Sequence, residues 1–356
     1  MRFQQDTTQQ PVRVGLIGCG YWGTKLLRVF NNLETAQITV VCDQSLQQRA
    51  WVTEHHPNIR FVTDYRSILI SDCDAVVIAT PAESHYKLAK EALVAGKHVF
   101  VEKPLALNRN HAEQLVMLAQ SQNCQLFVGH IFEFDPAIKA IQSIIRAGAL
   151  GEIYWVESIR SNLGLLRLDV NVIWDLLIHD VSVLHTVFDC LPSTVSTMGS
   201  SYITRGTQNI CELCQVNMTL PGISRASAKA SWLDPMKTRQ LKIIGSQKSL
   251  VFEPTKDREI HVYDCGVDLT PLNDGVDIQY RRGGYDKVPY AEAEPLQIEA
   301  KAFVDGIWSA APTNAAAAVD MISVLDAMQA SLEQEGAWIQ VNPTRVSRQP
   351  EPFPIA

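Results

Sequence analysis

From Pro11 to about Val128 the chain repeats a short β-favouring run, a turn signal and an amphipathic segment. That alternation leaves few folds open, because strands separated by helices pair in parallel and need helices over both faces. The expected strands are residues 12–17, 38–42, 75–79, 98–101 and 126–128, with a weaker one at 60–62. Between them, residues 83–95 carry helical periodicity through Leu88, Ala92 and Ala95, and Gly96 stands where a helix stops. Six such strands make a doubly wound α/β domain.

The first strand runs into Gly18-Cys19-Gly20-Tyr21-Trp22-Gly23 and then a helix-like segment from Thr24 to Phe30. Glycines at this spacing permit a tight turn, close approach of backbone to a pyrophosphate, and tight helix contact, while the helix N-terminus offers its N–H groups. Gly18, Gly20, Tyr21, Trp22 and Gly23 are therefore candidate dinucleotide-binding residues. Asp43 ends the second strand twenty residues after Gly23, the position of a carboxylate that takes the ribose hydroxyls. A carboxylate there repels a 2′-phosphate, so NAD is expected and NADP disfavoured. Further on, His98-Val99-Phe100-Val101 delivers Glu102 and Lys103 to a point where Pro104 ends the ladder. Ligands gather outside the carboxyl ends of parallel strands, which makes Lys103 a site candidate.

After Gly151 the rhythm changes. Strand-like runs at 152–159, 193–201, 210–220, 224–232, 240–244 and 249–252 follow with few helices between them, as in a largely antiparallel sheet covered by helices on one face and open on the other. Helical pattern returns at 295–308 and 315–332. The expected organisation is a nucleotide-binding domain over 11–130, an α+β substrate and oligomerisation domain over 131–340, and an extended tail over 341–356. One helix interrupts the second domain near residues 172–185. Asp175 and His179 lie four apart, so a regular turn places both on one face about 6 Å apart along the axis. A carboxylate there orients the imidazole and raises its basicity. Asp180 and His185 read as structural residues.

At 356 residues, with 46% hydrophobic and 19% charged residues, the chain suits two globular domains. A net charge of -7 gives no electrostatic reason to expect nucleic acid or an anionic membrane. The polar first ten residues lack a secretory core, and no run approaches the roughly 20 apolar residues of a spanning helix. A cytoplasmic location is expected. Eight scattered cysteines fit a reducing compartment. Cys211 and Cys214 have metal or redox spacing, but on one strand they would face opposite ways, and no second such pair completes a tetrahedral site. No metal is expected.

Four motifs in order, Gly18-x-Gly20-x-x-Gly23, Ala79-Thr80-Pro81-x-x-x-His85, residues 95–104 ending in Glu102-Lys103-Pro104, and Asp175-x-x-x-His179, resemble the glucose-fructose oxidoreductase, inositol dehydrogenase and MocA family over residues 12–335. The resemblance implies a Rossmann domain and an NAD(P)-dependent oxidoreductase acting on CH–OH groups of sugars or polyols. By position, Lys103 and His179 match the family's catalytic lysine and histidine, Asp175 the acid before the histidine, and Thr80, Pro81, His85 and Glu102 positions lining the cofactor. Leu177 and Ile178 are bulkier than the residues frequent there. Asn162-Leu163-Gly164, residues 169–175 and Ser231-Trp232-Leu233-Asp234-Pro235 resemble a branch acting on nucleotide-linked sugars. Arg160, Asn162 and Arg167 are the substrate-binding candidates, and a homodimer or homotetramer is expected from the open sheet face. Three other readings stand beside the dehydrogenase: an NADPH-dependent keto-sugar reductase, a redox-neutral enzyme that oxidises and re-reduces transiently, and a non-catalytic regulator that binds cofactor and sugar.

Overall fold

The computed structural model describes residues 10–203, 209–309 and 313–342. The expected extended tail falls from residue 343 onward outside the described residues.

Two compact units divide the chain, one formed by residues 1–131 with 294–318 and the other by 132–293 with 319–356. The first opens with β1 (Val12–Ile17), α1 (Tyr21–Asn31), β2 (Ala36–Cys42), α2 (Leu46–His55), β3 (Arg60–Val62) and α3 (Arg66–Leu69). It continues through β4 (Ala75–Ile78), α4 (His85–Val94), β5 (His98–Glu102), α5 (Arg109–Ser121) and β6 (Leu126–Gly129). The six strands form one parallel sheet in the order β3-β2-β1-β4-β5-β6, so the strand order reverses between β1 and β4. Ligands of doubly wound sheets bind at that reversal. All six expected strands are present. Residues of β4 are wholly buried, as expected of strands covered on both faces.

The second unit begins with α6 (Pro136–Arg146), capped by Asp135 Oδ1, which accepts from Ala137 N at 2.9 Å. Then come β7 (Ile153–Leu163), α7 (Ile178–Phe188), β8 (Thr194–Ser200), β9 (Leu213–Leu220) and β10 (Ile223–Ser231). After these follow β11 (Leu233–Gly245), β12 (Ser249–Phe252), β13 (Ile260–Leu272) and β14 (Gly275–Val288). Helices α8 (Pro295–Ser309) and α9 (Ala315–Glu333) and the short β15 (Ile339–Gln340) complete the described elements. The nine-stranded sheet runs β14-β13-β12-β11-β7-β10-β9-β8-β15 and is antiparallel except where β10 pairs with β7. Burial alternates residue by residue along β9, with Cys214, Val216, Met218 and Leu220 inward, so one face is covered and the other open.

Four points differ from the sequence expectation. Residues 294–318 group with the first unit, because Phe303 of α8 packs edge-on against Phe30 and Phe100 and Asn314 continues the β6 ladder, accepting from Val128 N at 2.9 Å and donating to Val128 O at 2.8 Å. The β13–β14 hairpin was not expected as strand at all. Its outer half is exposed on both faces, and Gly266, Pro271, Gly283 and Gly284 break the apolar alternation that reveals buried strands. One described helix, Ala315–Glu333, is long and apolar enough by length and composition to cross a membrane; with 67% of it buried, its apolar side chains are core. Finally, Cys211 precedes β9 rather than lying on it, and its thiol donates to the Leu213 carbonyl at 3.3 Å. The neighbouring Cys211 thiol, then burial, raises the Cys214 thiol well above its usual range, and Cys214 lowers Cys211 in turn.

Candidate functional site

In the first unit the three glycines of the β1–α1 turn do different work. Gly18 takes φ +90°, and a Cβ there would lie 2.5 Å from the Ala79 carbonyl oxygen. At Gly23 a Cβ would fall 2.1 Å from the Gly18 oxygen, so glycine is required for the helix to close on the turn. Gly20 is the exception. A Cβ there would meet nothing within 4 Å, and the first turn of α1 receives no side-chain cap and holds no acidic residue. Open space over uncapped helix N–H groups is what a pyrophosphate needs, so these residues fit a dinucleotide. Asp43 closes the turn from the next strand: Oδ2 accepts from Cys19 N at 2.7 Å and Oδ1 from Ser45 N at 2.8 Å.

Tyr21 is exposed, with the Lys25 ammonium 4.2 Å above its ring. Trp22 turns its indole N–H onto Glu102 Oε1, joining the glycine turn to the end of β5. Lys103 follows immediately, half-buried, before a cis bond to Pro104. After β4, Thr80 Oγ1 shares a 2.6 Å hydrogen bond with Ser84 Oγ, and Pro81 is exposed. His85 is 1% exposed, its ring nitrogens 2.7 Å from the Pro104 oxygen and 2.9 Å from the Thr80 oxygen. It braces the loops after β4 and β5 to each other.

In the second unit the expected regular helix begins instead as a wide π turn over Ile173–Leu177, with α7 starting at Ile178. Asn171 Oδ1 starts it, accepting from Ile173 N at 3.1 Å and Trp174 N at 3.4 Å. Four bulky side chains, Ile173, Trp174, Leu176 and Leu177, are buried around this turn and leave Asp175 at its polar edge. Asp175 is gripped from two sides: Oδ1 accepts from Arg167 Nη1 at 3.2 Å and Oδ2 from Trp232 Nε1 at 3.1 Å. Two donors on different oxygens fix the orientation of the carboxylate. The His179 ring meets the edge of Phe132, with ring centroids 5.2 Å apart.

The residues expected at the substrate have protein partners. Arg160 is 8% exposed and forks onto Asp180 at 3.0 and 3.2 Å, so its guanidinium is held by a carboxylate of the same unit. Arg167 donates to both Asp169 oxygens, at 2.9 and 2.6 Å, besides Asp175; its guanidinium is raised by Asp169 foremost. Asn162 Oδ1 accepts from Arg239 at 2.8 Å. Neither Trp232 nor Arg239 stood out as a site residue in the sequence; both reach the site only through sheet pairing. Among the described residues one trio, Asp257, Glu259 and His261, brings ligand-type atoms within 4.8 Å of one another, but Lys287 already pairs with Glu259 at 2.7 Å.

Residues 12–130 match the model of an oxidoreductase family with an NAD-binding Rossmann fold, designated GFO_IDH_MocA, and residues 138–251 match that family's C-terminal domain. The chain belongs to the Gfo/Idh/MocA oxidoreductase family. It is 26% identical to the UDP-N-acetylglucosamine 3-dehydrogenase of Acidithiobacillus ferrooxidans over 83% of this chain and 88% of that protein. A D-apiose dehydrogenase of Paraburkholderia graminis is 30% identical over 42% of this chain and 40% of its own length. Among solved structures, the Acidithiobacillus ferrooxidans enzyme superposes with TM-score 0.75 at 24% identity over 92% of this chain and 99% of that one. Levoglucosan dehydrogenase in complex with NADH and L-sorbose gives TM-score 0.77 at 20% identity over 94% and 100%, which shows a shared fold.

One group in this Gfo/Idh/MocA chain gives a pH signature. Burial pushes the Glu102 carboxyl from 4.5 up to about 7, against the opposing pull of the Trp22 indole and Lys103. Between those values the folded chain holds a proton that the unfolded chain has released, so stability falls as pH rises through the window and levels above it. Glu102→Gln removes that slope. Relative to the parent, the variant is expected to gain stability between pH 5 and 8 by up to about 3 kcal/mol in urea unfolding. A parent-to-variant difference that stays constant with pH would show that Glu102 does not titrate there.

Proposed function

We propose that this family member is an NAD-dependent dehydrogenase that moves a hydride between a secondary hydroxyl of a sugar, free or nucleotide-linked, and the nicotinamide. The observation that carries the reading is the setting of Asp175: held in place by Arg167 and Trp232, one turn ahead of His179. A carboxylate so held does not wander, and it favours the imidazolium that forms when a neighbouring histidine accepts a proton. The names of the similar enzymes, which act on UDP-N-acetylglucosamine, D-apiose and levoglucosan, support a sugar hydroxyl as the reacting group.

Oxidising a secondary alcohol requires removal of two hydrogens from one H–C–O–H unit, the oxygen-bound one as a proton and the carbon-bound one as hydride. Bound NAD supplies the hydride acceptor. Gly18, Gly20 and Gly23 admit its pyrophosphate, Asp43 receives its ribose hydroxyls, and residues around Thr80, Pro81 and Glu102 shape the remaining wall. His179 takes the hydroxyl proton on a ring nitrogen, Asp175 steadies the resulting imidazolium, and Lys103 donates to the substrate oxygen as negative charge grows on it. In the reverse direction the same residues return the proton.

The test is NADH formation on incubating purified protein and NAD with UDP-N-acetylglucosamine, free N-acetylglucosamine, apiose and inositols. No NADH from any of them, with NAD tightly bound, would favour the regulatory reading. Self-association completes the proposal. Val267 and Leu269 of β13 stand opposite Tyr280 and Ile278 of β14 on one face of the hairpin, all about half exposed or more. An apolar face of this kind suits a second copy of the chain. Light scattering is expected to give at least twice the 39.6 kDa chain mass, and Leu269→Asp with Ile278→Asp to reduce it; a parent mass of one chain rules this out. The eight free cysteines agree with action in the cytoplasm.

A further inference from the structure

On the covered face of the second unit's sheet one arginine, Arg239, forms no ion pair among the described residues. Arg160 on β7 and Arg239 on β11 are register partners in an antiparallel ladder. Like charges placed directly opposite each other are destabilising. Arg160 is neutralised by its fork onto Asp180, and Arg167 by Asp169 and Asp175. Arg239 has no such partner among the described residues.

Its hydrogen bonds are all to neutral oxygens: Nη1 to the Ser161 and Thr238 carbonyls, both at 2.9 Å, and Nη2 to Asn162 Oδ1 at 2.8 Å. Three acceptors hold the guanidinium in place and leave at least two of its five N–H groups unused. Burial, then the neighbouring Arg160, pulls Arg239 down to about 10, while Asp180 and Asp175 pull it back. A guanidinium keeps its charge at every physiological pH, so the unused N–H groups of Arg239 remain available to an anion that brings paired acceptors. It is also close to the acid–base pair. Phe132 lies over the Arg160 guanidinium at 4.7 Å and against the His179 ring, so Arg160, Phe132 and His179 form one run of neighbouring side chains with Arg239 on the next strand.

We infer that Arg239 binds an anionic group carried by the substrate, a phosphate or a carboxylate, and that the substrate is therefore a charged sugar rather than a neutral one. This rests on the sugar-oxidising role proposed above. The planar fork accepts either group through paired N–H donors, and Asn162, an expected substrate contact, acts here by holding Arg239. A neutral sugar or inositol supplies no counter-charge and leaves the cost of burying Arg239 in place.

The experiment is titration calorimetry on the NAD-saturated protein with three probes: UDP-N-acetylglucosamine, glucuronate and N-acetylglucosamine. The parent protein is expected to bind one of the two anionic probes roughly tenfold or more tightly than the neutral one, as a hydrogen-bonded charge pair gives. Arg239→Gln is expected to weaken that probe by about fivefold or more without moving the neutral one, and Arg239→Lys to lie between. Loss confined to UDP-N-acetylglucosamine identifies a phosphate, and loss confined to glucuronate a carboxylate. Smaller losses for both anionic probes, or a parent protein with no preference for either, overturn the inference. NAD titration of the same proteins keeps the two claims apart: a parent chain that binds no NAD defeats the oxidoreductase reading, whereas anion affinities indifferent to Arg239 defeat only this one.

Discussion

Alanine in place of His179 is expected to lower kcat by about 10²- to 10⁴-fold, the usual worth of a positioned general base, while NAD affinity stays within about threefold. The separation follows from where the residue sits. His179 belongs to the second unit, and the residues that fit NAD, Gly18 to Gly23 and Asp43, belong to the first. Lys103→Met is expected to fall in the same range of kcat by a different route, because it removes a donor to the growing oxyanion and leaves proton transfer intact. The pH profiles separate the two roles. With Lys103→Met the acid limb set by His179 remains; with His179→Ala that limb disappears and residual turnover rises with hydroxide. Turnover of the His179→Ala protein within a few-fold of the parent would remove His179 from the chemistry.

A smaller effect of the same kind is built into Trp232. It is 1% exposed, its backbone N–H is bonded to Glu212 O at 2.9 Å, and its indole holds Asp175 Oδ2. A residue anchored so firmly fixes the carboxylate at one place along the wide turn.

The parallel sheet was legible because its central strands are buried on both faces and closed by turn signals; nothing outside the local sequence was needed to see 12–17 or 75–79. Asp175 and His179 were legible for a similar reason, as polar residues inside an otherwise apolar segment. Where the sequence misled, the deciding contact lay far along the chain. Arg160, a substrate-binding candidate in the sequence, shows its partner only when Asp180, twenty residues later, folds back onto it. Arg239 is unremarkable until β11 pairs with β7 and sets it opposite Arg160, and Trp232 until it reaches Asp175, 57 residues away. The wide turn at Ile173–Leu177 is hidden for another reason: apolar periodicity reports which side of a segment is buried, not whether its hydrogen bonds close at four residues or five. The β13–β14 hairpin escaped because its outer half buries neither face, and burial is what writes alternation into a strand.

Asp43→Asn is expected to move cofactor preference toward NADP, raising the ratio of NADP to NAD catalytic efficiency by roughly 10- to 100-fold, since two charges about 4 Å apart near a protein surface interact by up to about 4 kcal/mol. Two effects combine in that number. The parent carboxylate repels a 2′-phosphate, and its removal helps NADP alone. The same carboxylate holds the glycine turn through Cys19 N and Ser45 N, so its removal loosens the turn for both cofactors. Asparagine keeps one oxygen acceptor and the side-chain volume, which limits the second effect. NAD efficiency is therefore expected to fall and NADP efficiency to rise or hold. Raised ionic strength should shrink the NADP change and leave the NAD change untouched, because only the first is a charge–charge interaction, at a half-exposed site. Equal losses for both cofactors would mean that Asp43 serves the turn only, and that selection between NAD and NADP lies with another residue.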